Sequence, residues 1–184
     1  MGRVRRLGAT CAARLRAFRE GRRPRVTVGR GVRLGPGVRC AAAPGGEIVV
    51  AEGAEIGGHT VLTAQAGAVL HVAERAFIAG YCTIAAARRV VIGPETMIAE
   101  MVSIRDHDHD PAYPPLDGHK LVGELMIGPR VWIGAKASVV RGCQSIGADA
   151  VVGAHALVNR PVPAASLVAG VPAQVKRHDV RRPA

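Results

Sequence analysis

An aliphatic residue returns at every sixth position in phased sets along most of this chain, and few folds tolerate that period. The sets are Val28, Leu34, Cys40; Val50, Ile56, Leu62; Val72, Ile78, Ile84; Ile92, Ile98, Ile104; Ile127, Ile133, Val139; and Ile146, Val152, Val158. Gly or Ala follows most of them, as at Gly29, Gly57, Gly93, Gly134 and Gly153. A smaller residue stands four places after many of them, as at Val32, Thr60, Cys82, Thr96, Ala137 and Ala156. A period of six fits neither a helix nor a meander of hairpins. It fits a solenoid in which each six-residue side sends one large and one small residue inward, three sides make a coil, and coils stack through parallel strands. The glycine either relieves crowding or permits an unusual φ at a corner. A generic Val/Gly-rich β domain would not keep this phase.

Composition agrees. The 184 residues suit one domain, and the chain is 48% hydrophobic but only 3% aromatic, with 23 glycines. A narrow repetitive core needs small aliphatic side chains rather than large rings. The repeat gives three of the four cysteines a role as core filler: Cys40 takes an aliphatic position, and Cys82 and Cys143 take small ones. With Cys11 they form no CxxC pair, so reduced thiols are expected. Arginines interrupt the N-terminus and no apolar run reaches bilayer length, which predicts a cytoplasmic protein. The net charge of +11 favours anionic partners. Its excess is concentrated between Arg3 and Arg39, where Glu20 is the only acid. Within residues 3–23, Val4, Leu7, Cys11, Leu15 and Phe18 keep helical spacing. This basic segment can cap the open first coil or lie at the inner face of an anionic membrane, and the two roles are compatible.

The period breaks most at Asp110–Glu124, where Pro111, Pro114, Pro115 and Gly118 mark a loop pushed out of the coil. Long ordered loops in compact repeats usually carry function. Asp106-His107-Asp108-His109 precedes it, and Val131-Trp132-Ile133-Gly134-Ala135 follows. A smaller break is the step of seven from Val139 to Ile146, which predicts a bulge at a coil corner.

These motifs resemble the left-handed β-helix (hexapeptide-repeat) acyltransferase superfamily, in particular its maltose/galactoside-type and polysaccharide O-acetyltransferase branch, over residues 26–177. The resemblance implies an all-β, left-handed parallel β-helix with an extruded loop, organised as a basic N-terminal segment 1–25, a β-helix 26–165 with loop 110–124, and a closing segment 166–184. It implies an O-acyltransferase that moves an acetyl group from acetyl-CoA to a hydroxyl of a sugar, glycan or related small molecule, without a metal, in a homotrimer whose substrates lie between subunits. The catalytic histidine precedes the loop. A gapless comparison run forward from the preceding repeat selects His109, which is the expected base, and a slightly shorter path would select His107 instead.

The chemistry asks for one imidazole. A hydroxyl is a poor nucleophile, and a neutral imidazole, titrating near ~6.5, can take its proton as the new bond forms. A carboxylate should hold the other ring nitrogen, with Asp106, Asp108 and Glu124 as candidates. Backbone N–H groups near Trp132–Ala135 could meet the oxyanion. Ser103 neighbours a repeat aliphatic and belongs to the scaffold.

For the acyl donor, the resemblance points to Trp132, Gly134, Ala135, Gly153, Ala154, Arg160 and Arg177. Ile146–Pro163 resembles the stretch lining the CoA groove, with Arg160 where the family carries Lys, Asn159 for Thr, Pro161 for Asp, and His155 for Gly. Val168–Ala173 resembles the closing motif, and Arg177 matches a basic position after it. For the acceptor it points to Tyr81, Cys82, Asp106 and Asp108, but Phe77–Ile84 lacks the polar residues of galactoside-type relatives. Neither galactoside nor maltose is therefore the expected acceptor.

Two other functions remain open on residues alone. A γ-class carbonic anhydrase-like zinc protein would use the same solenoid, with His107, His109 and His119 as ligands. The Trp-Ile-Gly and Gly-Val-Pro-Ala signals speak against it. A basic nucleic-acid-binding module would need binding motifs and stacking aromatics that the chain lacks, so no nucleic-acid partner is expected.

Overall fold

The computed structural model describes residues 23–180. The basic helix read at residues 3–23, and with it the choice between cap and membrane contact, lies outside the described residues apart from Arg23. Three parallel sheets form the sides of a solenoid of about six coils. The first side runs from Arg25–Val28 to Ser145–Ile146 and the second from Arg33–Leu34 to Leu167–Ala169. The third runs from Arg39–Ala42 to Leu157–Val158. Gln174–Arg177 folds back antiparallel on Leu167–Ala169 and covers the last coil. Among the described residues no helix is long and apolar enough to cross a membrane.

The expected aliphatic positions fill the core: Val50, Ile56, Leu62, Val72, Ile78, Ile84, Ile92, Ile98, Ile104 and Ile133 are fully buried, and Ile48 and Leu70, outside the six-residue sets, join them. Each such side chain contributes roughly 1.5–3 kcal/mol by leaving water. Buried Thr60 and Thr96 satisfy their hydroxyls within the coil stack. Thr60 Oγ1 donates to Ala79 O at 2.9 Å and accepts from Cys82 N at 3.2 Å. Thr96 Oγ1 donates to Gly128 O at 2.8 Å and accepts from Val131 N at 3.2 Å. Cys40, Cys82 and Cys143 are buried and unbridged, and burial pushes the Cys143 thiol up to about 12.

The glycine after each aliphatic relieves crowding. A Cβ on Gly134 would stand 2.6 Å from Ala154 N in the next coil. Left-handed residues fall two places later, stacked at the first corner as Gly31, Gly53, Arg75, Glu95, Arg130 and Asp149 and at the second as Gly37, His59, Tyr81, Met101, Lys136 and His155. Arg75 and Glu95 adopt φ of 53° and 57°, and their N–H groups reach carbonyls of the coil before, Glu52 O and Glu74 O, both at 3.1 Å. These bonds and the side-chain pairing offset the strain. Arg75 pairs with Glu95, holding that carboxyl below its ordinary range, and Arg130 Nε lies 2.7 Å from Asp149. Much of the arginine excess within the solenoid is balanced in the same way. Arg25, Arg30 and Arg33 of the first coil pair with Glu47, Glu52 and Glu55 of the second.

Coil length is not uniform. Paired residues lie 22 apart in the first coils, then 20, then 35 where the loop leaves, then 19. Three bare six-residue sides would be shorter. The extra residues sit at the third corner, where Gly45 and Gly67 turn the chain with φ of 72° and 71°. The step of seven is a turn at this same corner, closed by Cys143 N on Val140 O at 2.8 Å.

Candidate active site at the third corner

Strands of the third side end at Ala42, Ala64, Ala86 and Arg105. In the first three coils the chain then turns onto the first side. In the fourth it runs out instead as a hairpin of His107–His109 against Lys120–Val122, with His107 opposite Val122 and His109 opposite Lys120. Prolines keep the intervening residues out of the ladder, and a short 3-10 helix, Pro115–Asp117, ends at Gly118 with φ 74°. Tyr113 stacks on His119 at 3.9 Å, and Leu116 at the tip is 99% exposed.

Asp106 is the pivot of this departure. It is 1% exposed, and its carboxylate accepts the N–H groups of Ala87, Arg88 and Arg89 at 2.7, 2.8 and 2.7 Å. Three such bonds compensate the burial of a carboxylate that would otherwise be costly. Asp106 Oδ1 also lies 3.0 Å from His107 Nδ1. The other ring nitrogen, Nε2, lies 3.2 Å from the amide nitrogen of Gln65, whose oxygen accepts from Lys120 Nζ at 3.2 Å. The lysine contact fixes which way the amide points. An amide nitrogen only donates, so His107 Nε2 must accept and the ring proton sits on Nδ1, facing Asp106. In this arrangement the Nε2 lone pair is directed away from the carboxylate. The side chain of His107 retains 14% exposure.

The other carboxylates proposed to hold the imidazole are engaged elsewhere. Asp108 accepts from Arg105 Nε at 2.9 Å, and Glu124 from Arg88 Nε at 3.0 Å. His109 is exposed beside the open loop. Gln65 and Lys120 belong to the same cluster and escaped the sequence reading. The signal for Gln65 was its register: it follows Ala64, which pairs with Ala86, as Ala87 does in the next coil. The column reaches His107 one coil further on, since Arg105 pairs with Ala85.

The remaining candidates stand apart from His107. Trp132 is 43% exposed on the second side, and its N–H is engaged by Ala150 O at 2.9 Å. Gly134 is buried with its N–H on Val152 O at 2.8 Å, so neither of these donors can turn to an oxyanion. Ala135 is half-buried at the second corner, beside which His155 N donates to its carbonyl at 2.9 Å. In the next coil Gly153 is half-buried and Ala154 exposed. Tyr81, 61% exposed, stacks on His59 at 5.0 Å at that corner. Cys82 is buried, its thiol toward Ala99 O at 3.1 Å and raised by desolvation. Arg160 lines a cleft of about 100 Å³ at the C-terminal end with Asn159, Gln174 and Val175, and exposed Arg177 lies on the covering strand. Within one chain these residues occupy different faces. Among the described residues no group of three or more His, Cys, Asp or Glu could hold a metal ion, and the three histidines of the zinc alternative do not converge.

No protein-family model matches the chain. WbbJ of Escherichia coli (strain K12), named for O-acetyl transfer in lipopolysaccharide biosynthesis, is 36% identical over 102 residues, which cover 50% of this chain and 52% of WbbJ. The match therefore spans about half the length of that relative. Among solved structures, the polySia-specific acetyltransferase NeuO matches with a TM-score of 0.61 and 20% identity, over 84% of this chain and 87% of that one. Galactoside acetyltransferase in complex with coenzyme A matches with a TM-score of 0.60 and 22% identity, over 83% and 64%. The solenoid thus has the fold of these two acetyltransferases, the left-handed β-helix expected from the repeat and its resemblance.

Proposed function

We propose that the protein is a CoA-dependent O-acetyltransferase acting on a hydroxyl of a sugar or glycan, with His107 as general base. The Asp106–His107 pair carries this reading: a buried carboxylate, itself held by three backbone N–H groups, fixes the imidazole in the tautomer that can accept a proton at Nε2. An acceptor hydroxyl gives its proton to Nε2 while its oxygen attacks the thioester carbonyl. The carbon–sulfur bond breaks, the imidazolium returns the proton to the leaving thiolate, and an acetyl ester and free CoA result. A base so placed accounts for roughly 10²–10⁴ in rate.

The acyl donor is supported by the coenzyme A in the galactoside acetyltransferase of the same fold and by exposed Arg160 and Arg177 at one end of the solenoid. A saccharide acceptor is supported by the names of WbbJ and NeuO. The separation of His107 from Trp132 and Tyr81 supports a site completed by a neighbouring copy in a homotrimer.

The test is acetyl transfer from acetyl-CoA to a panel of bacterial oligosaccharides, read as acceptor-dependent thiol release and a mass gain of one acetyl group. The expected product is an ester removed by mild alkali. An alkali-stable amide, or no acetylated product from any member, would overturn the assignment.

A further inference from the structure

We propose that Gln65 guards the free nitrogen of His107 against water and yields it to the acceptor hydroxyl. The inference rests on the reading of His107 as the base. In the structure the Nε2 lone pair already accepts a hydrogen bond, from the Gln65 amide at 3.2 Å. A nitrogen with its one lone pair engaged cannot at the same time take a proton from water. Hydrolysis is the side reaction that any acetyl thioester site must suppress, because water is always present and needs the same base.

The guard is built from three parts of the chain. Gln65 comes from the third corner of the second coil, and the next coil places only the methyl group of Ala87 between it and His107. Lys120, on the outer strand of the hairpin, holds the amide oxygen and so turns the N–H groups toward the imidazole. Rotation of the amide would set N–H groups against the ammonium, so Lys120 favours the capping orientation. The cap is nevertheless displaceable. Gln65 is only half-buried, Lys120 is exposed, and both bonds are at the long end of the normal range.

The same geometry states what an acceptor must offer to replace the cap. One oxygen presents its O–H to Nε2, and a second oxygen next to it accepts the released amide N–H. Adjacent hydroxyls on a sugar ring meet both demands within one molecule, whereas a single water molecule supplies only one oxygen.

The experiment measures thiol release from acetyl-CoA with no acceptor present, where water attacks the thioester to give acetate and free CoA. Gln65→Ala should hydrolyse acetyl-CoA about tenfold faster than the wild type, within the range a freed general base can supply. Lys120→Met should raise the rate by a smaller factor, and Gln65→Ala/His107→Ala should lose the increase. A merely structural role for Gln65 would lower hydrolysis and transfer together. Unchanged or slower hydrolysis in both Gln65→Ala and Lys120→Met would overturn the guard while leaving the base in place. An increase that persists in the double variant would overturn the base itself.

Discussion

At the scale of single residues, the site turns on how Asp106 is satisfied. Its carboxylate meets three backbone N–H groups and one imidazole N–H, all acceptor demands that a carboxamide cannot meet with its NH₂ end. Asp106→Asn should therefore cost about 1–3 kcal/mol of stability, read from denaturant midpoints, by turning a donor toward buried donors. It should also lower kcat by ~10²-fold or more through loss of the imidazole tautomer, with KM for acetyl-CoA little changed. A variant with wild-type kcat would show that Asp106 only anchors the corner. The Asp-His-Asp-His motif was legible in the sequence, and so was the need for a carboxylate. Which histidine and which carboxylate stand together was not. That depends on Asp106 reaching under Ala87–Arg89, a contact nearly twenty residues away along the chain.

At the scale of elements, the coil corners set the geometry. The six-residue period showed the inward aliphatics and the stacking, because both follow from side-chain volume repeating along the chain. It did not show the long third corner, because those turn residues bury no large aliphatic and leave no periodic mark. That corner is where Gln65 and His107 meet, so Gln65 was invisible until coils of 22 and then 20 residues placed it in register. The glycines left two physical explanations open, and close approach between coils is the one that operates. Gly134→Ala should accordingly destabilise the fold by about 1–3 kcal/mol, since backbone rather than a flexible side chain lies 2.6 Å from the new methyl. Chemical denaturation measures this, and a cost near zero would mean that the coils can separate at that point.

At the scale of the whole molecule, the candidate residues form one site only if faces of different copies come together. The hairpin tip, with Leu116 fully open, and the apolar Phe77, Met97 and Trp132, in register on the second side, are surfaces such an assembly would cover. Light scattering should give three times the chain mass, and a monomer active at high dilution would contradict the shared site. Arg160→Ala and Arg177→Ala should each raise KM for acetyl-CoA more than they lower kcat. A lost charge-assisted phosphate contact is worth about 1–3 kcal/mol and lies far from the reacting carbonyl. An unchanged KM in both would remove the C-terminal cleft from the donor site. The central claim is that the imidazole held by Asp106 takes the acceptor proton, and comparing kcat for His107→Ala and His109→Ala tests it most directly. With folding and assembly intact, His107→Ala should lower kcat by roughly 10²–10⁴ and His109→Ala by less than about tenfold. The reverse ranking, or near-normal rates in both variants, would contradict it.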